Sequence, residues 1–265
     1  MVDLHVHTNF SFDSDEQPEN YIKRAGELNA KMLGFSEHYD YDAFLDGAEG
    51  VELADIPAYL EKIKSLNKSC GDTQILCGIE FGYRKAAQEQ YRTLIEKYPF
   101  DYVINSVHTL PGRGDSYYEG FFDGATIEDS YRDYFKVVLE SVYADFDYQI
   151  IGHIGYVSRY RDVLHKIIYD DYSDIIDDIL KAVIERDKCL EINTASGHAD
   201  VLCLPDTDII KRYLALGGRK MSFGSDAHSA EKFMSKSDRV KDFLKSVGVG
   251  ELYYYRERKP VAYKI

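Results

Sequence analysis

The sequence predicts an α/β domain built as a barrel of strand–helix units. Three observations predict it. Short apolar runs alternate with longer amphipathic runs along most of the chain, which is the pattern of a parallel sheet with helices between its strands. There are seven short runs in 265 residues, a number that suits a closed barrel better than an open sheet. Each of the seven ends on a polar side chain, nearly all of metal-ligand type, and a (β/α) barrel builds its active site at the C-terminal ends of its strands. Residues 1–265 therefore read as a single catalytic domain.

The elements follow in order. The run VDLHVH (2–7) sets Val2, Leu4 and Val6 on one face and Asp3, His5 and His7 on the other, as a strand's alternation requires. Taken alone, it resembles a half-exposed strand with its polar face toward water. PENYIKRAGELNA (18–30) has Pro18 near a helix start. KMLGFSEH (31–38) is the second strand, and IPAYLEKIKSLNK (56–68) places Ile56, Leu60, Ile63 and Leu66 at helical spacing. QILCGIEF (74–81), YVINSVH (102–108), YQIIGH (148–153), KCLEINT (188–194) and RKMSFGSDAH (219–228) complete the strand runs. Between them lie the helix-like segments QEQYRTLIEKY (88–98), TIEDSYRDYFKVVLESVY (126–143), YSDIIDDILKAVIER (172–186) and DTDIIKRYLALGG (206–218).

Composition narrows the function classes. A net charge of −14 argues against binding nucleic acid through a general basic surface. It leaves room for a phosphorylated small molecule, because metal ions reverse a local field. No stretch approaches the roughly 20 apolar residues of a membrane helix, and no signal peptide is recognisable. Cys70, Cys77, Cys189 and Cys203 form no CxxC pair and read as reduced thiols of a cytoplasmic protein, with Cys77 and Cys189 in strand cores.

The strand ends carry the chemistry. His5, His7, His38, His108, His153 and His228 lie at or just after them, together with Asp13, Glu80 and Asp226. One such histidine is most often a hydrogen-bonded structural residue. Six with three carboxylates are stable together mainly around bound cations, because buried unpaired charge is costly. The mixture of imidazole and carboxylate without cysteine suits Zn, Mn or Fe more than Ca or Mg. Nine candidates exceed what one ion holds, so Glu80 is expected to bridge. Arg159, in GHIGYVSRY, is a candidate fork for phosphate oxygens, with Arg161 an equal candidate beside it. His198 lies in a loop near the same rim, and His165 reads as structural or surface. The fragment GRGD (112–115) lacks the setting of a phosphate-cradling loop and reads as a turn only.

The ordered set HxH with a following Asp13, then SEHYD, GIEFGY, SVH, GHIGYVSRY and GSDAH, spanning residues 2 to about 230, resembles the PHP (polymerase and histidinol phosphatase) family. Within it, NFSFDS, YEGFFDGATIEDSYRDYF and EINTASG resemble the stand-alone histidinol-phosphatase type. The resemblance implies a distorted, TIM-like (β/α)7 barrel and two to three divalent ions. It implies one ion on His5, His7, Glu80 and Asp226, a second on Glu80, His108 and His153, and a third on Asp13, His38 and His228. It further implies Glu80, Arg159 and Asp226 in catalysis, Arg159 on the substrate phosphate, and L-histidinol phosphate as substrate. Related sequences tend to carry an arginine soon after the EINT stretch, whereas this chain has none until Arg212. That departure makes His198 a candidate for the second phosphate contact, or points to a different substrate. The residues themselves leave open a different phosphomonoester, such as a nucleotide or phosphotyrosine, or a metal-binding module without turnover. No nucleic-acid or membrane partner is expected, and the oligomeric state is not legible.

Overall fold

The structure, a computed structural model, describes residues 1–48, 50–71, 73–117, 120–159 and 166–265. In chain order its helices and strands are α1 (Pro18–Glu27), β1 (Met32–Tyr39), α2 (Ile56–Leu66), β2 (Gln74–Gly82), α3 (Gln88–Lys97), β3 (Tyr102–Ser106), β4 (Thr109–Leu110), β5 (Gly114–Asp115), α4 (Ile127–Val142), β6 (Ile150–Ile151), α5 (Ser173–Glu185), β7 (Cys189–Asn193), α6 (Thr207–Ala215), β8 (Met221–Gly224), α7 (Ser237–Ser246), β9 (Glu251–Arg256) and β10 (Lys259–Lys264). The helices predicted from periodicity form where expected. Each turns its apolar stripe inward, as α2 does with Ile56, Tyr59, Ile63 and Leu66. Asp55 and Thr126 cap α2 and α4 by accepting from the N–H groups of Ala58 and Asp129.

Six strands run parallel in the order β1-β2-β3-β6-β7-β8. Segment 2–7 then lies between the two edge strands. Asp3 bridges Leu33 of β1 and Phe223 of β8, both in parallel. Leu4 N donates to Phe223 O (3.0 Å) and Gly34 N to Asp3 O (2.7 Å). The first segment is therefore the seventh stave of the ring. Both its faces are buried, with Val6, His5 and His7 at 0% exposure. That overturns the half-exposed reading of this stretch taken alone. Asp3 is not a site residue either. Its carboxylate accepts from Ser225 N (2.9 Å), Met234 N (3.0 Å) and His5 N (3.3 Å), fixing the loop after β8 to the first segment.

The barrel's lower end is filled by Val2, Leu4, Leu76, Tyr102, Ile104, Ile150 and Cys189, closed off by Tyr255 of β9. Tyr102 donates its hydroxyl to Leu4 O (2.7 Å) and Phe35 O (3.0 Å). The antiparallel hairpin β9–β10 and helix α7 are elements that the strand–helix alternation did not anticipate. GRGD is indeed a turn, joining β4 to β5 with Thr109 opposite Asp115. All four cysteines are free. No described helix is long and apolar enough to cross a membrane.

Candidate metal centre

Every parallel strand ends at the same rim, and the side chains expected to be ligands meet there. His5 and His7 come from the first segment, His38 from β1, Glu80 from β2, His108 and His153 from just past β3 and β6, and Asp226 and His228 from just past β8. Glu80 lies at their centre and is fully buried. Its Oε1 is 3.1 Å from His5 Nε2, 3.2 Å from His108 Nε2 and 3.0 Å from His153 Nε2. Its Oε2 is 2.9 Å from His38 Nδ1 and 3.5 Å from His7 Nε2. Asp226 Oδ1 lies 3.5 Å from His7 Nε2 and 3.9 Å from His5 Nε2. Asp13 Oδ2 lies 3.0 Å from His228 Nε2 and 3.4 Å from His38 Nε2. The ligand atoms of His5, His7 and Glu80 all lie within 4.8 Å of one another, as do those of Glu80, His108 and His153, and those of His7, His38 and His228.

The donors fit divalent cations. His5 Nε2, His7 Nε2, His38 Nδ1, Glu80 Oε2 and Asp226 Oδ1 are buried without a hydrogen-bond partner, which is costly unless something cationic satisfies them. The electrostatics agree. Burial opposes charge on Glu80, but His5, His108 and His38 hold its carboxyl well below the ordinary value. Burial likewise opposes charge on Asp226, and Arg159 and His5 outweigh it. Burial together with His38 and His228 holds His7 well below its ordinary value, keeping it in the neutral form that ligates metal. Burial disfavours charge on His108, yet Asp40 and Glu80 raise it to about 10. Anionic carboxylates and imidazoles with unpartnered buried nitrogens, packed together, suit a divalent metal.

A layer behind the donors was not singled out from the sequence. Glu191, in mid-strand on β7, places Oε1 2.5 Å from His5 Nδ1 and accepts from His153 N (2.6 Å) and Asn193 Nδ2 (3.3 Å) through Oε2. Asp40 accepts from His108 Nδ1 at 2.8 Å, and Ser106 donates to Glu80 Oε1 at 2.6 Å. Such partners fix ring tautomer and orientation. The glycines beside them had a readable reason. A Cβ on Gly224 would lie 2.3 Å from Glu191 Oε1, and one on Gly82 would lie 2.5 Å from Asp40 Cγ. A carboxylate inside an otherwise apolar strand such as CLEIN was the available signal for Glu191. Asn193, the polar residue that ends this strand, donates to Asp226 Oδ2 (3.2 Å) and positions that carboxylate.

Arg159 follows a short turn (Tyr156–Ser158) after β6. Its Nη1 donates to Asp226 Oδ2 at 2.6 Å, and its side chain lines two cavities on either side of the donors. One, of ≈ 310 Å³, is lined by Phe12, Asp40, Asp115, Tyr117 and Tyr156 as well as by Asp13, His38, His108 and His228. The other, of ≈ 660 Å³, is lined by Ser196, Ser225, Ser229, Lys232 and Lys236 beside Asp226 and His228. Lys232 and Lys236 are the lysines that line this cavity. His198 lines neither cavity. Its Nε2–H donates to Ser158 O (3.0 Å), and Gly197 N donates to Arg159 O (2.9 Å). In this position His198 braces the loop that carries Arg159. Arg161 and His165 lie outside the described residues.

The PHP domain model matches residues 3–195. A relative from Clostridium acetobutylicum named "Probable histidinol-phosphatase" is 33% identical over 230 residues, covering 86% of each chain. The histidinol-phosphatase of Lactococcus lactis is 29% identical over 95% of this chain and 93% of its own. A crystal structure of histidinol phosphate phosphatase from Lactococcus lactis, in complex with Zn, L-histidinol and phosphate, superposes with a TM-score of 0.85 at 26% identity, over 98% of both chains. The match over most of the chain, the parallel barrel and the clustered donors at its rim together establish that this chain belongs to the PHP domain family.

Proposed function

We propose that the chain is a metal-dependent phosphomonoesterase that hydrolyses L-histidinol phosphate to L-histidinol and phosphate, acting in the cytoplasm as one catalytic domain of residues 1–265. The observation that carries this is the gathering of His5, His7, His38, His108 and His153 on the single carboxylate of Glu80, with Asp226, Asp13 and His228 beside them. The names and the bound ligands of the relatives support the substrate. Two to three divalent ions, Zn, Mn or Fe, would be held by His5, His7, Glu80 and Asp226; by Glu80, His108 and His153; and by Asp13, His38 and His228. When bound, they would polarise phosphoryl oxygens and make water acidic enough to attack phosphorus near neutral pH.

The chain's own residues do the rest. Glu80 supplies the shared negative charge that lets cations sit close together. Asp226 is steadied by Arg159 and Asn193, and Arg159 presents its guanidinium to both cavities, where phosphate oxygens approach. A planar fork matches a tetrahedral oxyanion with two parallel hydrogen bonds. The protein buries these groups before substrate arrives, so little reorganisation is needed as charge develops on phosphorus. The test is direct. Metal-loaded protein is assayed on L-histidinol phosphate, nucleotides and phosphotyrosine, and its metal is counted by elemental analysis. A clear kcat/KM preference for L-histidinol phosphate with more than one ion per chain is expected. Equal rates on all three, or full activity with one ion, would overturn the reading.

A further inference from the structure

The two cavities flanking the donors differ in kind. The larger is rich in hydroxyls and lysines, as an anion requires. The smaller has an acidic and aromatic wall away from the donors, formed by Asp115 and Asp40 with the rings of Phe12, Tyr117 and Tyr156. The other acids of this cavity already face imidazoles: Asp13 faces His38 and His228, and one oxygen of Asp40 takes His108 Nδ1–H. Asp115 differs. Among the described residues its carboxylate accepts from neutral donors, the Tyr156 hydroxyl (3.1 and 3.0 Å to its two oxygens) and the Tyr117 N–H (2.8 Å). Among the described residues no cation pairs with it. A second observation points the same way: Asp40 is 6% exposed, and its Oδ1 is buried with no partner. A part-buried carboxylate with no direct ion pair, only the nearby charge of His108, is costly to the free protein and is better satisfied by a cationic ligand.

Asp115 is also held firmly. It ends the two-strand hairpin that starts one residue after His108, with Thr109 opposite it. Arg113 pins that hairpin by donating to Phe121 O (3.1 and 2.7 Å) and Ser130 Oγ (2.7 Å). Tyr156 in turn packs its ring against His108 and His153, with centroids 5.3 and 4.9 Å apart. The carboxylate is therefore linked rigidly to the donor cluster through Tyr156.

We propose that Asp115, oriented by Tyr156, is the specificity-determining residue of the site, binding the positive charge of a leaving alcohol that carries an ammonium or a protonated heteroaromatic ring. The aromatic lining adds favourable contact with a flat cation. Asp115 and Asp40 together repel anionic leaving groups. This rests on the phosphomonoesterase reading above and extends it. The class of substrate is a phosphate ester of a cationic amino alcohol, with nucleotides and phosphotyrosine peptides disfavoured by their own charge or lack of it.

The test compares wild type, Asp115→Asn and Tyr156→Phe as metal-loaded proteins. Substrates are L-histidinol phosphate, phosphoethanolamine and p-nitrophenyl phosphate, whose leaving group carries no positive charge. In parallel, L-histidinol and inorganic phosphate are titrated separately by calorimetry. Asp115→Asn should lower the kcat/KM ratio of each cationic ester to p-nitrophenyl phosphate roughly ten- to hundredfold, the span of a charge-assisted hydrogen bond. The loss should fall mainly in KM, with metal content retained. L-Histidinol affinity should fall relative to phosphate affinity by a similar factor, and Tyr156→Phe should show a smaller change of the same sign. An unchanged ratio in both assays, or equal losses on all substrates, overturns the role of Asp115 while leaving the phosphatase reading standing. If wild type hydrolyses none of the esters, the phosphatase reading falls. The calorimetric ratio then still decides whether Asp115 binds the cation.

Discussion

Glu191→Gln tests the layer behind the donors, and its outcome can be worked from three contacts. Glu191 serves three donors with two acceptor oxygens: His5 Nδ1–H at 2.5 Å, His153 N–H at 2.6 Å and Asn193 Nδ2–H at 3.3 Å. Glutamine has the same shape but only one acceptor oxygen; its other end is an NH2 donor. If the amide oxygen faces His5, the NH2 meets the His153 N–H, two buried donors face to face. If the NH2 faces His5, Nδ1 must become the acceptor, the proton moves to Nε2, and that nitrogen can no longer ligate. Either arrangement forfeits a charge-assisted hydrogen bond worth about 1.5–3 kcal/mol, or roughly ten- to hundredfold in affinity or rate. Loss of a carboxylate behind a ligating histidine typically lowers metal affinity or activity by a similar factor. The assay is metal content by elemental analysis after dialysis, followed by kcat/KM at saturating metal. Full metal retention with kcat/KM within about threefold of wild type would refute the reasoning.

Three further outcomes are expected. Glu80→Gln removes the anion around which five imidazoles are arranged; activity and metal content should both collapse while far-ultraviolet circular dichroism stays native, and a fully loaded, active variant would rule out a bridging role. Arg159→Ala should lower kcat/KM for phosphomonoesters about ten- to hundredfold with metal retained, because Asp226 keeps Oδ1 toward the histidines when its Oδ2 partner goes; Arg159→Lys should restore only part, and an unaffected alanine variant would point the phosphate contact elsewhere. In metal-free protein, His108 is raised from 6.5 to about 10, Asp40 and Glu80 outweighing burial. Its charge thus stabilises the fold fully below pH about 6.5 and progressively less as pH climbs to about 10, so thermal melts in chelator should fall across that window. Metal-loaded protein should not follow, since ligation needs the neutral ring, and a flat chelated profile would contradict the pairing.

Most of the donor set was legible because each member stands at the end of an apolar run, and a parallel barrel gathers such ends at one rim. What the run pattern could not carry was orientation. Asp40 lies in the same SEHYD stretch as His38, yet only the fold shows that it turns to His108 across the gap that Gly82 leaves. Glu191 acts on His5 from within its strand, where a pattern of strand-end residues does not report it. The hairpin β9–β10 lies beyond the strand–helix alternation, and its loop lacks the Asn-Gly or Asp-Gly pair that marks short hairpins from sequence. Asp115 was read as part of a plain turn. The turn is real, but its importance comes from Tyr156, distant in sequence, and no local pattern reports that.

The first segment's place in the ring carries a kinetic consequence. Ser225 N donates to an oxygen of Asp3, 222 positions earlier, and His7 N donates to Ala227 O. The first segment can therefore pair with β1 early on one side, while its other side waits for β8. Bringing such distant partners together is entropically demanding and slow. The first segment and strands β1 to β7 can pair as they emerge, so closure of the ring on β8, and with it the approach of Asp226 to His5 and His7, comes last. Ions that need this full set would be captured at the end of folding, and the residues holding them would then latch the closed ring. Their release would weaken the seam between the first segment and β8, where ring closure joins the two ends of the sheet.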